Sequence, residues 1–146
     1  MALQFTGKDV ALQRTASGRY DLVFSTSGKN KGNPVLDSTG THAVLSTLLS
    51  WKRGTRPGSQ KQEGGYYFDP QNRRGTLIWT VTQDRMGTPS QLEAYAQDGG
   101  QQLLDQKLIG SFSAKASRIR PGSFRLVVTW SLPSGVPVPP LSISLG

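Results

Sequence analysis

The sequence predicts a small α+β domain in which antiparallel β-hairpins pack against two main helices, followed by an extended carboxyl-terminal arm. Three observations lead there. Apolar residues alternate around a Pro-Gly turn at residues 120–123, helical periodicity appears near residues 41–53 and 89–109, and Gly and Pro are frequent, at 17 and 9 residues. A length of 146 residues suits one domain, and a hydrophobic content of 35% implies a modest core with many connections. Residues 1–132 read as that domain and 133–146 as the arm.

The first element is a hairpin of residues 10–14 and 19–24 around Thr15-Ala16-Ser17-Gly18, with Tyr20, Leu22 and Phe24 sharing one face. Residues 25–39, rich in Gly, Ser, Asn and Lys, read as a loop. The first helix covers residues 41–53: Thr39 or Thr41 caps it, Val44, Leu45, Leu48 and Leu49 form its apolar face, and Trp51 lies beside that stripe. Gly54 can stop it in a left-handed conformation, and Pro57 cannot extend it.

Residues 60–75 interleave Tyr66, Tyr67 and Phe68 with Arg73 and Arg74, a composition shared by protein interfaces and nucleic-acid grooves. Three adjacent aromatics cannot all point inward from one extended segment, so a packed loop and an interaction surface both remain open. Leu77, Trp79 and Val81 alternate in residues 76–82 and predict a strand.

Thr88-Pro89-Ser90-Gln91 reads as a helix start, with Thr88 as cap and Gln91 completing a capping box. Leu92, Tyr95, Ala96, Gly99 and Leu103 then recur at helical spacing. Gly99-Gly100 costs about 1 kcal/mol per glycine relative to alanine. Either close packing offsets that cost within one helix, or residues 89–98 and 101–109 form two.

Residues 112–120 and 123–132 form the last hairpin, with Pro121 and Gly122 where a type II turn prefers them. Phe124, Leu126, Val128, Trp130 and Leu132 alternate with Arg125, Val127, Thr129 and Ser131, so one face must be buried. Beyond Leu132 the prolines exclude a helix and a central strand. There Leu141, Ile143 and Leu145 alternate with serines, as suits strand addition to a neighbour's sheet edge.

Lys and Arg total 17 against 9 acidic residues, a formal net charge of +8 that favours acidic partners. The basic residues are scattered, with only Lys52-Arg53 and Arg73-Arg74 adjacent, so acidic neighbouring subunits rank ahead of nucleic acid. The absence of cysteine excludes disulfides and thiol nucleophiles and fits folding in a reducing cytoplasm. No stretch reaches membrane-spanning length and residues 1–9 lack a signal-peptide pattern, so a soluble, unexported chain is expected. His42 is the single histidine, so no histidine cluster exists to hold a metal, and no cofactor is implied. Glu63 and Glu93 are the two glutamates, and no spacing rule joins them into a glycosidase pair.

The order of parts resembles the small baseplate wedge protein of Mu-like contractile-tailed phages, a family related to sheath initiators. The resemblance spans residues 10–132. It rests on Gly18-Arg19-Tyr20-Asp21-Leu22-Val23, Asp37, His42-Ala43-Val44-Leu45-Ser46-Thr47-Leu48-Leu49, Gly65-Tyr66-Tyr67-Phe68-Asp69, Gly75-Thr76-Leu77-Ile78-Trp79 and the helix of residues 88–108 before the final hairpin. The chain departs from the sheath initiators in carrying Lys107-Leu108-Ile109-Gly110 where they often have Glu-Pro-Arg. The resemblance implies a non-enzymatic virion subunit, assembled in the host cytoplasm and present in several copies. It would contact larger wedge subunits, tail tube or hub proteins and the tail sheath. Tyr66, Tyr67, Phe68, Arg73, Arg74, Leu141, Ile143 and Leu145 are the candidate contact residues. A basic nucleic-acid-binding module is the alternative.

Overall fold

The computed structural model describes residues 12–17, 19–29, 31–33, 37–65, 69–81 and 84–146. In chain order the elements are β1 (Leu12–Arg14), β2 (Tyr20–Leu22), α1 (Thr41–Leu49), β3 (Gly54–Thr55), β4 (Gln62–Glu63), a 3-10 turn (Ile78–Thr80), α2 (Thr88–Asp105), β5 (Ser111–Arg120), β6 (Ser123–Ser131) and β7 (Leu141–Leu145). Strands β1 and β2 pair with each other, as do β3 and β4, and β5-β6-β7 form an antiparallel sheet. The chain is thus a small α+β domain.

Alternation in β6 decides which side of the main sheet is buried. Phe124, Leu126, Val128 and Trp130 point into the core, whereas Arg125 and Thr129 face solvent. Gly122 adopts a φ of 78°, as the second central position of a type II turn requires after Pro121. The register shifts between Arg118 and Arg120, a bulge that twists the hairpin end.

Residues 133–146 do not hang free as an arm. Ser131 bridges to Pro137, the Val138 amide donates to the Trp130 carbonyl at 3.0 Å, and β7 pairs with β6. Leu141 lies opposite Val128, Ile143 opposite Leu126 and Leu145 opposite Phe124. The apolar residues expected to join a neighbour's sheet therefore join their own, because their alternation matches the inner face of β6. The prolines fall in the connection, where no ladder amide is needed.

Helix α2 lies against the buried side of the sheet, and α1 packs on α2. Leu92, Ala96 and Leu103 of α2 and Val44, Leu45 and Leu48 of α1 share one core with Ala114, Leu126, Val128 and Ile143. Helix α2 is continuous through Gly99-Gly100, which settles the choice between one helix and two. A Cβ on Gly99 would lie 2.7 Å from the Thr76 methyl, and one on Gly100 would overlap the Phe112 ring. Close packing thus offsets the helix-propensity cost of the two glycines.

Both helix starts differ from the sequence prediction. Gly40 is the N-cap of α1, and Asp37 reaches in from outside the helix: its carboxylate accepts the Thr39 and His42 amides at 2.8 and 2.9 Å. A carboxylate is the stronger acceptor for the positive helix end. Thr88 lies inside the first turn of α2, and its hydroxyl accepts the Arg85 amide at 2.8 Å, while Gln91 bonds Tyr95 rather than closing a capping box.

Helix α1 ends at Leu49, not Arg53. Ser50 turns extended and its hydroxyl bonds the Ser46 carbonyl, after which residues 50–53 find other partners. The Thr76 amide donates to Ser50 and the Lys52 amide to Thr76, at 2.9 and 3.1 Å. This parallel bridge is as far as residues 76–81 go toward the predicted strand. The Thr80 amide and hydroxyl both bond the Leu77 carbonyl, so local bonds wind the chain into a 3-10 turn instead.

Replacement of Gly100 by alanine should therefore destabilise the fold by about 1–3 kcal/mol. Gly87→Ala, with nothing within 4 Å of the added methyl, should change stability by less than about 1 kcal/mol. Urea unfolding midpoints of the two variants check the contrast.

Candidate functional site

The clearest outward-facing constellation is built on residues 50–56 and 79. Trp51 is 55% exposed and stacks on Trp79, ring centroids 5.1 Å apart and planes 15° from parallel. The Trp79 indole N–H donates to the Lys52 carbonyl at 2.9 Å, which fixes that ring. Arg56 sits 5.5 Å from the Trp79 ring centroid and pairs with Glu63 at 3.2 Å. Gly64 and Gly65, both at positive φ, let β4 leave past the two indoles.

Arg73 and Arg74 are exposed on the neighbouring turn. Asn72, at a φ of 53°, bonds both the amide and the carbonyl of Arg53 with its side chain, at 2.7 and 2.8 Å, and so imitates a strand partner. The Asp69 carboxylate accepts the Arg74 amide at 2.7 Å. These bonds hold Arg74 beside Trp51; Trp51, Arg74, Ser50 and Gly65 line a cavity of about 300 Å3. Tyr66, Tyr67 and Phe68 lie outside the described residues.

Leu141, Ile143 and Leu145 face the core side of β7, with Ile143 buried and the other two partly so. What β7 offers outward is its main chain. The Ala116 amide leaves β5 for the Glu93 carboxylate at 2.9 Å, and Val138 bonds Trp130. Even-numbered residues of β6 therefore bond toward β7, which leaves the amides and carbonyls of Ser142 and Ser144 directed away from the sheet. Among the described residues, no strand pairs with that edge.

A third cluster joins the loop before α2 to the hairpin tip. Asp84 accepts Arg118 through Nε at 3.0 Å and Nη2 at 2.5 Å, and its second oxygen accepts the Gly122 amide at 2.7 Å. Arg118 also bonds the Arg85 carbonyl at 2.9 Å. The Gly122 amide chiefly holds the Asp84 carboxyl below the usual aspartate range; desolvation opposes this, and the Arg118 hydrogen bond and charge reinforce it. Next to this latch a mainly apolar cavity of about 450 Å3 lies among Ile78, Trp79, Leu92 and Phe124.

No known protein family, curated protein or solved structure matches the chain. The reading of function therefore rests on its own residues. The two glutamates have structural tasks, Glu63 on Arg56 and Glu93 on the β5 edge. Among the described residues no group of His, Cys, Asp or Glu is arranged to hold a metal ion, and no helix is long and apolar enough to cross a membrane.

Sequence reasoning did not anticipate the Trp51–Trp79 stack or the Asp84 latch. Trp51 was readable only as a residue beside a helical stripe, since its stacking partner is 28 positions away. Asp84 carried no local pattern, because both of its partners lie across the fold.

A depressed carboxyl stabilises the fold above its unfolded value, and that contribution disappears as pH falls through the folded one. The stability difference between the wild type and Asp84→Asn should therefore be full at neutral pH and vanish at strongly acid pH. Urea midpoints measured across that range check this; a difference independent of pH would remove the latch.

Proposed function

We propose that this chain is a non-enzymatic structural subunit of a contractile phage tail baseplate. In this reading it is a wedge protein present in several copies. It joins larger wedge subunits and tube or hub proteins, and it gives the sheath a place to begin. The observation that carries the proposal is the open outer edge of β7, whose Ser142 and Ser144 main-chain groups face away from β6. Such an edge binds an added strand through main-chain bonds. The ordered resemblance of residues 10–132 to Mu-like wedge proteins supports the same role.

The excess of 17 basic over 9 acidic residues supports acidic neighbours. It also favours a second reading, a basic module that binds single-stranded nucleic acid with Arg73, Arg74, Arg118, Arg120 and Arg125. Phosphate contacts would make such binding weaken steeply with salt.

A tagged chain recovered from phage-infected cells at moderate salt should bring with it the sheath, tube or larger wedge proteins, identified by mass spectrometry. Recovery of nucleic acid alone would put the second reading first. Proline in place of Ser144 removes an outward amide and keeps the Leu126–Ile143 pairing. That variant should stay folded by circular dichroism and lose the sheath protein from the recovered set.

A further inference from the structure

The open edge of β7 has two sides, and the residues on each specify what can be added there. We infer that the occupant is an extended segment of another protein in which apolar residues alternate with glutamates, pairing with β7 as a fourth strand of the main sheet. The inference rests on the reading of that edge as a site of assembly, and it names the chemistry of the partner.

Strand geometry sets the pattern. The main-chain groups of Ser142 and Ser144 point outward, so residues of an added strand opposite these serines share their solvent-facing side. Residues opposite Leu141, Ile143 and Leu145 turn toward the core side. A five-residue contact therefore reads inner, outer, inner, outer, inner.

The inner positions call for apolar side chains. Ile143 is buried, whereas Leu141 and Leu145 are only partly covered. Each of these two borders a mainly apolar cavity. Leu141 shares one of about 380 Å3 with Trp130, Val138 and Pro140, and Leu145 shares one of about 450 Å3 with Ile78 and Phe124. Strand addition takes its specificity from such pockets for alternate side chains, and apolar surface covered there adds to the main-chain bonds.

The outer positions call for carboxylates. The solvent-facing residues of β5, β6 and β7 include Lys115 and Arg125 and no acid. Both cations are exposed, and among the described residues neither makes an ion pair. Arg125 lies across from Ser144, whose small side chain leaves the row clear between Arg125 and an added strand. Two strand spacings separate them, about 10 Å, which an arginine and a glutamate side chain cover together. Lys115, one strand further away, adds to the positive field. A second copy of the chain does not meet these requirements, since its β7 would bring serines to the outer positions and another Arg125 to the same face.

The test uses the full-length, isotope-labelled chain and a synthetic peptide with Val-Glu-Val-Glu-Val between Gly-Ser flanks, beside a counterpart with lysine for glutamate. On titration with the glutamate peptide the Ser142 and Ser144 amides should shift and exchange more slowly with solvent. The lysine peptide should bind at least about tenfold more weakly, and Arg125→Glu should reverse that order. Charge beside an edge also guards against unwanted pairing, but either sign serves that purpose, so the reversal separates recognition from guarding.

Absence of binding overturns the inference, as does binding that leaves Ser142 and Ser144 unperturbed, equal affinity for the two peptides, or an order that Arg125→Glu leaves unchanged. A concentration-dependent dimer that protects the same amides overturns it too, by making a second copy the occupant. Its failure can be told apart from failure of the baseplate role. If Arg125→Glu recovers the sheath protein from infected cells as well as the wild type does, while Ser144→Pro loses it, the acidic partner drops out and the role stands. If the wild type recovers no tail protein, the role falls whatever the peptides do.

Discussion

The close approach permitted by Gly99 and Gly100 is the constraint on which the rest of the structure depends. Space left by the missing side chain at Gly99 is taken by Thr76 and Leu48, and that at Gly100 by Phe112. One helix turn thus sets the distance of α2 both from α1 and from β5. Thr76, seated there, donates its hydroxyl to the Leu48 carbonyl at 2.7 Å and bridges Ser50 and Lys52. The same contact that packs the core therefore ends α1 early and turns residues 50–53 outward. The Trp51–Trp79 stack is a consequence of helix packing two steps removed.

Carboxylates act throughout as fasteners for main-chain amides. Asp37 holds the entry to α1, Asp69 the arginine turn, Asp84 the tip of the β5–β6 hairpin and Glu93 the outer edge of β5. A carboxylate is a stronger acceptor for such an amide than a neutral oxygen is. The basic excess of +8 is carried on turns and strand faces, such as Arg73, Arg120 and Arg125, while Asp21, Asp98 and Asp105 also lie exposed.

Legibility in the sequence followed the range of the interactions. The β5–β6 hairpin was readable because its period, its turn residues and its burial all come from neighbours in the chain. Helix α2 was readable from spacing, although only Thr76 and Phe112 explain its glycines. Residues 76–81 were misread because alternating Thr, Leu, Trp and Val marks a strand only when a ladder partner exists. Here the threonine hydroxyls bond nearby carbonyls instead. The tail was misread differently: its alternation was recognised, but nothing local says whose sheet a strand will join. The Trp51–Trp79 stack and the Asp84 latch depend on pairs 28 to 38 residues apart, beyond any pattern in a single segment.

The position of β7 is what the proposed assembly role draws on. It reaches the sheet through a connection containing Pro137, Pro139 and Pro140, none of which can donate an amide bond. Its place therefore depends on the ladder to β6 and on the burial of Ile143. A strand held from one side normally invites indiscriminate pairing, and natural sheets restrain that with charge and small polar side chains. The solvent-facing side of this sheet has both, with Ser142 and Ser144 on β7 and Arg125 across from Ser144 on β6. An apolar sheet cannot stack on such a face, yet the main-chain edge stays open to a strand that accommodates its charge. In the proposed assembly role, selectivity at the β7 edge comes from the face beside the edge, and affinity from the edge itself.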